Sequence, residues 1–493
     1  MHVDRLLRTC VACLSGCGRL ARAEVWAADA IQLSHRMRHR QSVRPALALL
    51  LVLLASPAQA QFYATCREAT PAELDASIRA HEEHSVRLHE KFITGWYRQG
   101  PLPSSFRPIT RPQIEQALGR LGERRAAVLF QAYQDGRFCS WLISPHADLV
   151  AHQADWVEAD LRRLQPQLIQ ALGVRAQAQG RVPEHKHRAN ASAAAADDTS
   201  SIPVAEAVLR EAAQRLLPPP IRQALLQSRI DTLVVVPVFE TGTLPFAALP
   251  VDDNRALVDV ASVMVAPGLF VFRQPPRAAR EAFPKALIVG NPLGWKDPDW
   301  DFGPLPGAER EASEVAALVQ AAPLLGHAAT KRTVRTALAR QPALIYLATH
   351  GIADDANPLD QGFLLLSDGR WSAREIAQSP LAATRPLVVM SACQSGLGKQ
   401  FDVGTIGLAR AWHQAGASNV VMSLWNVGDA STPQLMIRFA SLLHASAPDR
   451  ALRQAMLDLR RADPNPAHWA SFAVFGLPEQ PQPERQPSAE PTR

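Results

Sequence analysis

Short apolar runs alternate with helical patterns through most of the chain, and this alternation restricts the possible folds more than any other feature. Residues 232–238 are apolar, rich in β-branched side chains and bounded by turn residues, as in a buried strand. Similar runs occupy residues 286–289, Leu344–Ala348 and 387–390, with helical patterns between them, for example at Lys331–Ala339. Strands that alternate with helices predict an α/β fold with a mostly parallel sheet and helices on both faces.

Two of these runs are followed by residues with catalytic chemistry. His350 and Gly351 come just after Leu344–Ala348, and Cys393 comes three residues after the run at 387–390. In open α/β sheets, ligands bind outside the carboxyl ends of the strands. If the two strands are neighbours, His350 and Cys393 therefore meet at the same edge of the sheet.

A cysteine nucleophile needs a base, because the thiolate attacks and a free thiol near neutral pH is mostly protonated. An imidazole can take that proton and later return it to the leaving amine. Gly351 lacks a Cβ, so its N–H can join that of Cys393 in an oxyanion hole. Cys393 or His350 alone is most simply structural, but the two at strand ends, 43 residues apart, predict a catalytic pair.

The net charge of +6 is concentrated at one end of the chain. Residues 1–60 contain eight Lys/Arg and three Asp/Glu, which leaves 44 basic and 43 acidic side chains in the remainder. The remainder has no basic excess that would attract a nucleic acid, so we expect no such partner.

Residues 45–56 form an apolar run of twelve residues, too short to cross a bilayer of about 30 Å as a helix. Four arginines precede the run and the sequence Ala-Gln-Ala ends at Ala60, which is the order of a secretory signal peptide. We expect cleavage after Ala60, a translation start at Met37, a periplasmic or secreted protein, and no membrane anchor after cleavage. A buried core helix is the alternative.

Three cysteines, Cys66, Cys139 and Cys393, follow the predicted cleavage site. In an oxidising compartment, a Cys66–Cys139 disulfide is the one pairing that leaves Cys393 reduced. Two unpaired buried thiols are the alternative. Metal-ligand spacing is absent, and we expect no metal and no cofactor.

The predicted organisation starts with a helical N-terminal region at 61–108, without a 34-residue repeat. A hairpin of strands 127–133 and 138–143 follows, and then a helix at 148–172. Residues 180–201 are polar, small and aperiodic, which predicts a flexible insert.

From residue 111 to residue 476 the sequence resembles the CHAT domain, a caspase-like cysteine peptidase family often found behind tetratricopeptide repeats. The resemblance rests on ordered motifs: 244–249 (LPFAAL), 288–292 (IVGNP), 305–311 (LPGAERE), 347–351 (LATHG), 391–393 (SAC), 423–425 (SLW) and 469–472 (WASF). It implies a caspase-like sheet at 109–478, a dyad of Cys393 and His350, and a disordered tail at 479–493.

The chain departs from the family pattern after the cysteine loop. Asp402 is the single acidic residue before the GLAR helix, and the resemblance makes it a candidate for binding a basic P1 side chain. A plain loop-end residue is the alternative. Asp429 follows the tryptophan strand, where we expect it to cap the next helix.

Together these features predict a caspase-like cysteine endopeptidase of the CHAT type, acting on a protein or peptide substrate. The alternative is a non-catalytic scaffold that keeps the fold, with protein partners still to be identified. The loop around Trp295 and Trp300 is predicted to be a packed surface loop that could overhang the active site.

Overall fold

A computed structural model of the chain describes residues 70–94, 106–134, 136–174, 187–189, 202–278, 280, 282–379, 381 and 383–480. All of them belong to one compact unit, residues 63–493. The predicted signal peptide, the start at Met37 and Cys66 lie outside the described residues.

The strands of the described residues are numbered along the chain. They are β1 (Ala126–Gln134), β2 (Arg137–Ile143), β3 (Val150–Ala154), β4 (His187–Ala189), β5 (Thr232–Val236), β6 (Ser262–Val265), β7 (Leu287–Gly290), β8 (Trp300–Phe302), β9 (Leu324–Leu325), β10 (Leu344–Ala348), β11 (Gly351–Ile352), β12 (Phe363–Leu366), β13 (Gly369–Ser372), β14 (Leu387–Ser391), β15 (Gly398–Phe401), β16 (Gly404–Gly407), β17 (Asn419–Ser423) and β18 (Phe472–Gly476).

The α-helices of the described residues follow the same numbering. They are α1 (Pro71–Thr94), α2 (Arg111–Gly119), α3 (Glu158–Ala171), α4 (Ile202–Leu216), α5 (Pro219–Gln227), α6 (Leu257–Val260), α7 (Pro306–Leu318), α8 (Lys331–Ala339), α9 (Ala373–Ala377), α10 (Leu408–Ala415), α11 (Thr432–Leu442), α12 (Pro448–Ala462) and α13 (Pro466–Trp469). Short 3₁₀ segments lie at Phe239–Thr243, Phe246–Ala248, Leu269–Arg273 and Gly326–Ala328.

Eleven of the described strands form one sheet in the order β3-β2-β1-β5-β6-β18-β17-β14-β10-β7-β9. The pairs β1–β2, β2–β3 and β17–β18 are antiparallel, and the other neighbours are parallel. Every residue of β5, β10, β14 and β17 is buried, because helices cover both faces of the sheet. This is the mostly parallel α/β fold that the strand and helix patterns predict.

Three small strand groups lie outside the large sheet. The sheet β11-β12-β13 begins directly after His350, and the hairpin β15-β16 follows Cys393. In the third, β4 pairs with β8. Of the predicted insert at 180–201, only residues 187–189 are described, and they form β4.

The predicted strands and helices of the core are confirmed, with one exception at 148–172. That range was expected to be helical throughout, and this was wrong: residues Val150–Ala154 form β3, and α3 begins only at Glu158. The strand is a half-buried edge strand that pairs with β2. Its adjacent polar residues His152 and Gln153 interrupt the alternation of apolar and polar residues by which a strand is recognised in a sequence. Tertiary pairing decides its conformation.

Helix α1 lies within the predicted helical region at 61–108, and its Leu74, Ile78 and Leu88 are buried. The carboxylate of Glu82, also on α1, is buried and accepts hydrogen bonds from the Ile109 amide and from Arg273 Nη2, the latter at 2.6 Å. The helix is therefore anchored on the same compact unit as the sheet.

Arg124, at the start of β1, is a buried cation that joins distant segments of the chain. Its Nη2 pairs with Asp449, in the first turn of α12, and donates to Thr232 Oγ1 at 3.0 Å. Its Nη1 donates to the Glu479 carbonyl at 2.9 Å. Glu479, the first residue of the predicted tail, is buried, and the Gln480 amide donates to the Arg277 carbonyl, whereas the rest of the predicted tail lies outside the described residues.

We predict that Arg124→Met destabilises the fold by about 3–5 kcal/mol, because it leaves the Asp449 carboxylate buried without its cation. Urea unfolding followed by circular dichroism measures the change. Arg461→Met is the matched control, since Arg461 pairs with Asp458 on the surface of α12 and its loss should cost about 0–1 kcal/mol. Equal destabilisation by the two substitutions would contradict the prediction.

Candidate active site

The positions of His350 and Cys393 follow from the register of two neighbouring parallel strands. Strand β10 pairs with β14 so that Ala348 lies opposite Ser391. The amide of Thr349 donates to the Ser391 carbonyl at 3.2 Å, which extends the pairing by one residue. His350 and Cys393 each come two residues after the matched pair, so both lie at the carboxyl edge of the sheet, as predicted from the sequence.

Gly351 lies against the backbone of the cysteine loop. A Cβ at this position would come within 2.7 Å of the Cys393 carbonyl oxygen and within 3.2 Å of the Ala392 Cβ. A larger residue would push the two strand ends apart. From the sequence we expected a close approach between the Gly351 backbone and a substrate. In the structure, the absence of a Cβ lets Gly351 pack against the backbone of Cys393.

The imidazole of His350 is buried and held by a loop that precedes α7. Its Nε2 lies 2.8 Å from the Gly303 carbonyl oxygen. A carbonyl can only accept a hydrogen bond, so Nε2 carries the proton in the neutral ring, and Nδ1 keeps a lone pair. The Phe302 ring lies against the imidazole, with ring centroids 4.8 Å apart. This arrangement leaves Nδ1 as the basic nitrogen.

Cys393 is a free cysteine that is partly exposed. Its Sγ lies 3.6 Å from the Val427 carbonyl oxygen, which accepts a hydrogen bond from the thiol. The loop after it is fixed to β17, because the Ser395 amide donates to Ser423 Oγ at 3.1 Å and the Gly396 amide donates to the Ser423 carbonyl at 2.9 Å. The thiol therefore has a defined position.

Loss of hydration is the largest influence on the pKa of both predicted catalytic groups, because the thiol and the imidazole are packed among protein atoms even though the Cys393 residue keeps some exposed surface. It raises the pKa of the Cys393 thiol, and the negative charge of Asp429 raises it further. It lowers the pKa of His350, against the opposing effects of the Gly303 carbonyl and Asp429. Both shifts favour the neutral form of the group, the thiol of Cys393 and the imidazole of His350.

We expected Asp429 to cap the next helix, α11, but its carboxylate lies at the start of α7 instead. Its carboxylate accepts hydrogen bonds from the Gly307 and Ala308 amides, each at 2.8 Å, at the start of α7. A Cβ on Gly307 would come within 1.8 Å of the Asp429 carbonyl oxygen, so only glycine permits this contact. The expectation was wrong because the loop after β17 contacts α7, which lies more than 100 residues earlier in the chain, and a contact between such distant residues has no local sequence pattern.

Glu311, on α7, is a buried acid below the cysteine loop. Tyr346 Oη on β10 donates to its Oε1 at 2.7 Å, and the Ser391 hydroxyl is a second hydrogen-bond partner. Burial raises the pKa of Glu311 to about 7, although these two hydrogen bonds oppose the shift. The charge of Asp429 raises the pKa and that of Arg310 lowers it.

Asp402 lies in the turn between β15 and β16, where it pairs with the N-terminal helix. Its Oδ2 is 2.7 Å from Nδ1 of His84 on α1, and both side chains are about one-third exposed. The acid that the sequence suggested for a P1 pocket is thus engaged by the chain itself.

Cys139, on β2, is disulfide-bonded. Cys393 is free, so the partner of Cys139 lies outside the described residues. The Cys66–Cys139 pairing remains a prediction. Within the described ranges, no group of three or more His, Cys, Asp or Glu side chains is placed to hold a metal ion.

Sequence reasoning missed Gly303, Val427 and Glu311 as parts of the site. Gly303 and Val427 contribute backbone carbonyls, and the sequence gives no sign of such a role because every residue has a carbonyl. The cluster of tryptophans around Trp295 and Trp300 was a partial indication, because that loop continues into Phe302 and Gly303.

The CHAT domain family model matches residues 206–477. The chain belongs to the CHAT domain family. The matched range contains His350 and Cys393, and α1 to α3 and β1 to β4 precede it. The predicted domain bounds of 109–478 stay a prediction.

Curated relatives of this CHAT protein include the tetratricopeptide repeat protein 28 of Homo sapiens, 28% identical over 341 residues, and that of Mus musculus, 27% identical over 341 residues. In both cases the aligned part is 57% of this chain and 14% of the relative. The chain thus spans a small part of the length of these relatives.

Among solved structures, the chain is similar to the crystal structure of the Saccharomyces cerevisiae separase–securin complex, with a TM-score of 0.50 and 11% identity over 83% of this chain and 34% of that one. The structure of the Arg-specific cysteine proteinase gingipain R also matches, with a TM-score of 0.36 and 9% identity over 57% of this chain and 68% of that one. The predicted caspase-like α/β fold is confirmed. Among the described residues, no helix combines the length and apolar character needed to span a bilayer.

We predict that Glu311→Gln changes how stability depends on pH. The folded protein binds the Glu311 proton more tightly than the unfolded chain, so wild-type stability falls as the pH rises from about 4.5 to about 7. The glutamine variant cannot lose this proton and should lack that part of the fall, on the order of 2 kcal/mol. Urea unfolding at pH 5 and pH 8 measures the difference.

Glu314→Gln is the control, because Glu314 is exposed on the same helix. It should leave the pH dependence of the wild type unchanged. If Glu311→Gln behaves in the same way as Glu314→Gln, the buried acid does not titrate as described.

Proposed function

We propose that the chain is a cysteine endopeptidase of the CHAT type, with Cys393 as nucleophile and His350 as general base and acid. One observation carries the proposal: the register of β10 and β14 brings both residues to the same edge of the sheet, with the His350 ring oriented by Gly303. A substrate bound across this edge would meet the thiol and the imidazole together.

In the proposed reaction the Cys393 sulfur attacks the substrate, and His350 first accepts a proton and then donates it. Nδ1 of His350 takes the thiol proton as the sulfur bonds to the scissile carbonyl carbon, and the imidazolium then returns that proton to the leaving amine. Water, deprotonated by the same nitrogen, attacks the thioester carbonyl carbon. The C–S bond then breaks, the imidazolium returns the proton to the Cys393 sulfur, and the acid product leaves. The N–H groups of Gly351 and Cys393 are proposed to stabilise the oxyanion in both steps.

Substrate binding has to activate the neutral site. A carbonyl group placed over Cys393 would displace the thiol from Val427, and the imidazolium that forms would be favoured by the nearby Asp429 charge. Catalytic hydrogen bonds often tighten only when the substrate is bound.

Asp402 is the proposed binding group for a basic P1 side chain. It pairs with His84, so a substrate with Arg or Lys at P1 would have to replace the histidine as the partner of the carboxylate. The alternative role, as a loop-end residue, keeps the pair as a structural contact only.

We predict that the purified protein cleaves members of a peptide library varied at P1 and that Cys393→Ala abolishes this cleavage, because no other group replaces the thiol as nucleophile. Mass spectrometry of the products measures it. Cleavage that persists in the variant would rule out the proposed mechanism.

The Asp402→Ala variant is tested on the same library. The proposed P1 role requires that the preference for Arg and Lys over Asp falls by about tenfold or more, since one charge-assisted contact is lost. An unchanged preference would leave Asp402 as a loop-end residue.

A non-catalytic scaffold is the second candidate, and two observations favour it. The raised pKa of the Cys393 thiol opposes nucleophilic reactivity, and the curated relatives are named for tetratricopeptide repeats. A thiol that reacts with iodoacetamide no faster than a model thiol, with or without His350, would support the scaffold.

We also propose that the protein is exported. The charged residues before the apolar run at 45–56 support this, and so does the disulfide at Cys139, because disulfides persist in oxidising compartments. A periplasmic or secreted location follows.

We predict that the mature protein begins at Gln61 and contains a Cys66–Cys139 disulfide. Terminal sequencing of protein recovered outside the cytoplasm and a non-reducing peptide map measure these two features. Recovery of the intact N-terminal extension in that fraction would contradict the proposed cleavage.

A further inference from the structure

His350 is oriented by a loop that contributes no catalytic side chain. The loop connects β7 to α7 and contains β8, followed by Gly303. Nε2 of His350 donates to the Gly303 carbonyl, and Phe302 packs on the ring. The tautomer of the histidine therefore depends on where this loop is held.

One ion pair holds the loop to the small sheet that follows His350. The carboxylate of Asp297 in the loop has no exposed surface, and it accepts hydrogen bonds from Nε of Arg370 at 2.6 Å and from Nη2. Arg370 lies on β13, and its Nη2 also pairs with Asp299 at 2.7 Å. A bidentate pair of this kind fixes both distance and orientation.

Asp297 also shapes the loop itself. Its Oδ1 accepts hydrogen bonds from the amides of Asp299 and Trp300, at 2.9 Å and 3.1 Å. Trp300 begins β8, and Gly303 follows that strand by one residue. The turn at Asp297 thus sets the direction in which the chain runs to Gly303.

A layer of aromatic rings connects the same arginine to the imidazole. The Arg370 guanidinium lies 4.6 Å from the centre of the Phe363 ring. Phe363 contacts Phe302 edge to face at 6.2 Å, and Phe302 contacts His350 at 4.8 Å. Arg370 is therefore linked to His350 in two ways: through the loop that carries Gly303 and through the rings of Phe363 and Phe302.

We propose that Asp297 and Arg370 are positioning residues for the dyad: their pair holds the loop so that the Gly303 carbonyl keeps the His350 proton on Nε2 and leaves Nδ1 to act as the base. This role rests on the proposed function of His350. Both residues act on His350 through other groups, the Gly303 carbonyl and the rings of Phe363 and Phe302.

The test compares two variants that each lose one Arg–Asp pair. Asp297→Asn combined with Arg370→Gln removes the positioning pair without leaving a buried charge unpaired. Asp360→Asn combined with Arg374→Gln is the matched control, because that pair is bidentate as well, lies near the same small sheet and is exposed. Arg370→Lys keeps the charge and loses the bidentate geometry.

Two measurements follow the dyad without requiring peptide cleavage. The ¹⁵N chemical shifts of the His350 ring, assigned with His350→Ala, report the tautomer and the pKa. The rate of Cys393 alkylation by iodoacetamide at pH 7 reports the thiol, and Cys139 does not interfere because it is disulfide-bonded. Thermal unfolding confirms that each variant is folded.

We expect wild type and the control to hold the proton on Nε2. In the Asp297/Arg370 double variant we expect exchange between both tautomers, alkylation about tenfold slower, and a lower His350 pKa, because the Gly303 carbonyl no longer stabilises the imidazolium. Asp429, the charged group that acts on His350, is unchanged in all variants. Arg370→Lys should fall between wild type and the double variant.

A folded double variant that keeps the Nε2–H tautomer and the wild-type alkylation rate overturns the positioning role. The proposed function fails separately: a wild-type alkylation rate equal to that of His350→Ala refutes the dyad itself. Loss of peptide cleavage in the double variant, without a change of tautomer, also counts against the role of the pair.

Discussion

The parallel pairing of β10 with β14 is the interaction on which the rest of the site depends. Both strands are wholly buried, and their hydrogen bonds match Ala348 with Ser391. A shift by one residue would turn buried side chains toward the wrong face and move His350 away from Cys393. The apolar residues of these two strands therefore fix the relative positions of His350 and Cys393 as well as a core, and Gly351 allows the strand ends to approach each other closely.

Backbone groups and buried charge then adjust the two side chains. The Gly303 carbonyl accepts a hydrogen bond from the His350 imidazole, and the Val427 carbonyl accepts one from the Cys393 thiol. Gly303 precedes both residues in the chain, and Val427 follows them. Burial favours the neutral form of each group, and Asp429 opposes the thiolate while it favours the imidazolium. The surroundings of the two groups thus favour a neutral thiol and a neutral imidazole.

Segments outside the matched CHAT range complete the structure around this centre. The first strands extend the sheet beyond β5, and buried Arg124 connects them to α12 and to the end of the described chain. Helix α1 reaches the hairpin after Cys393 through the pair of His84 with Asp402. The N-terminal region therefore contacts the part of the chain that follows Cys393.

The sequence alone determined the strand and helix order, the family and the two strand-end residues His350 and Cys393, because buried strands and their turns have strong local patterns. It misassigned β3 as helix and Asp429 as the cap of α11, since both depend on partners distant in the chain. Only the tertiary structure decided which nitrogen of His350 carries the proton and how the thiol is held. Backbone carbonyls such as that of Gly303 do this work, and every residue type carries the same carbonyl.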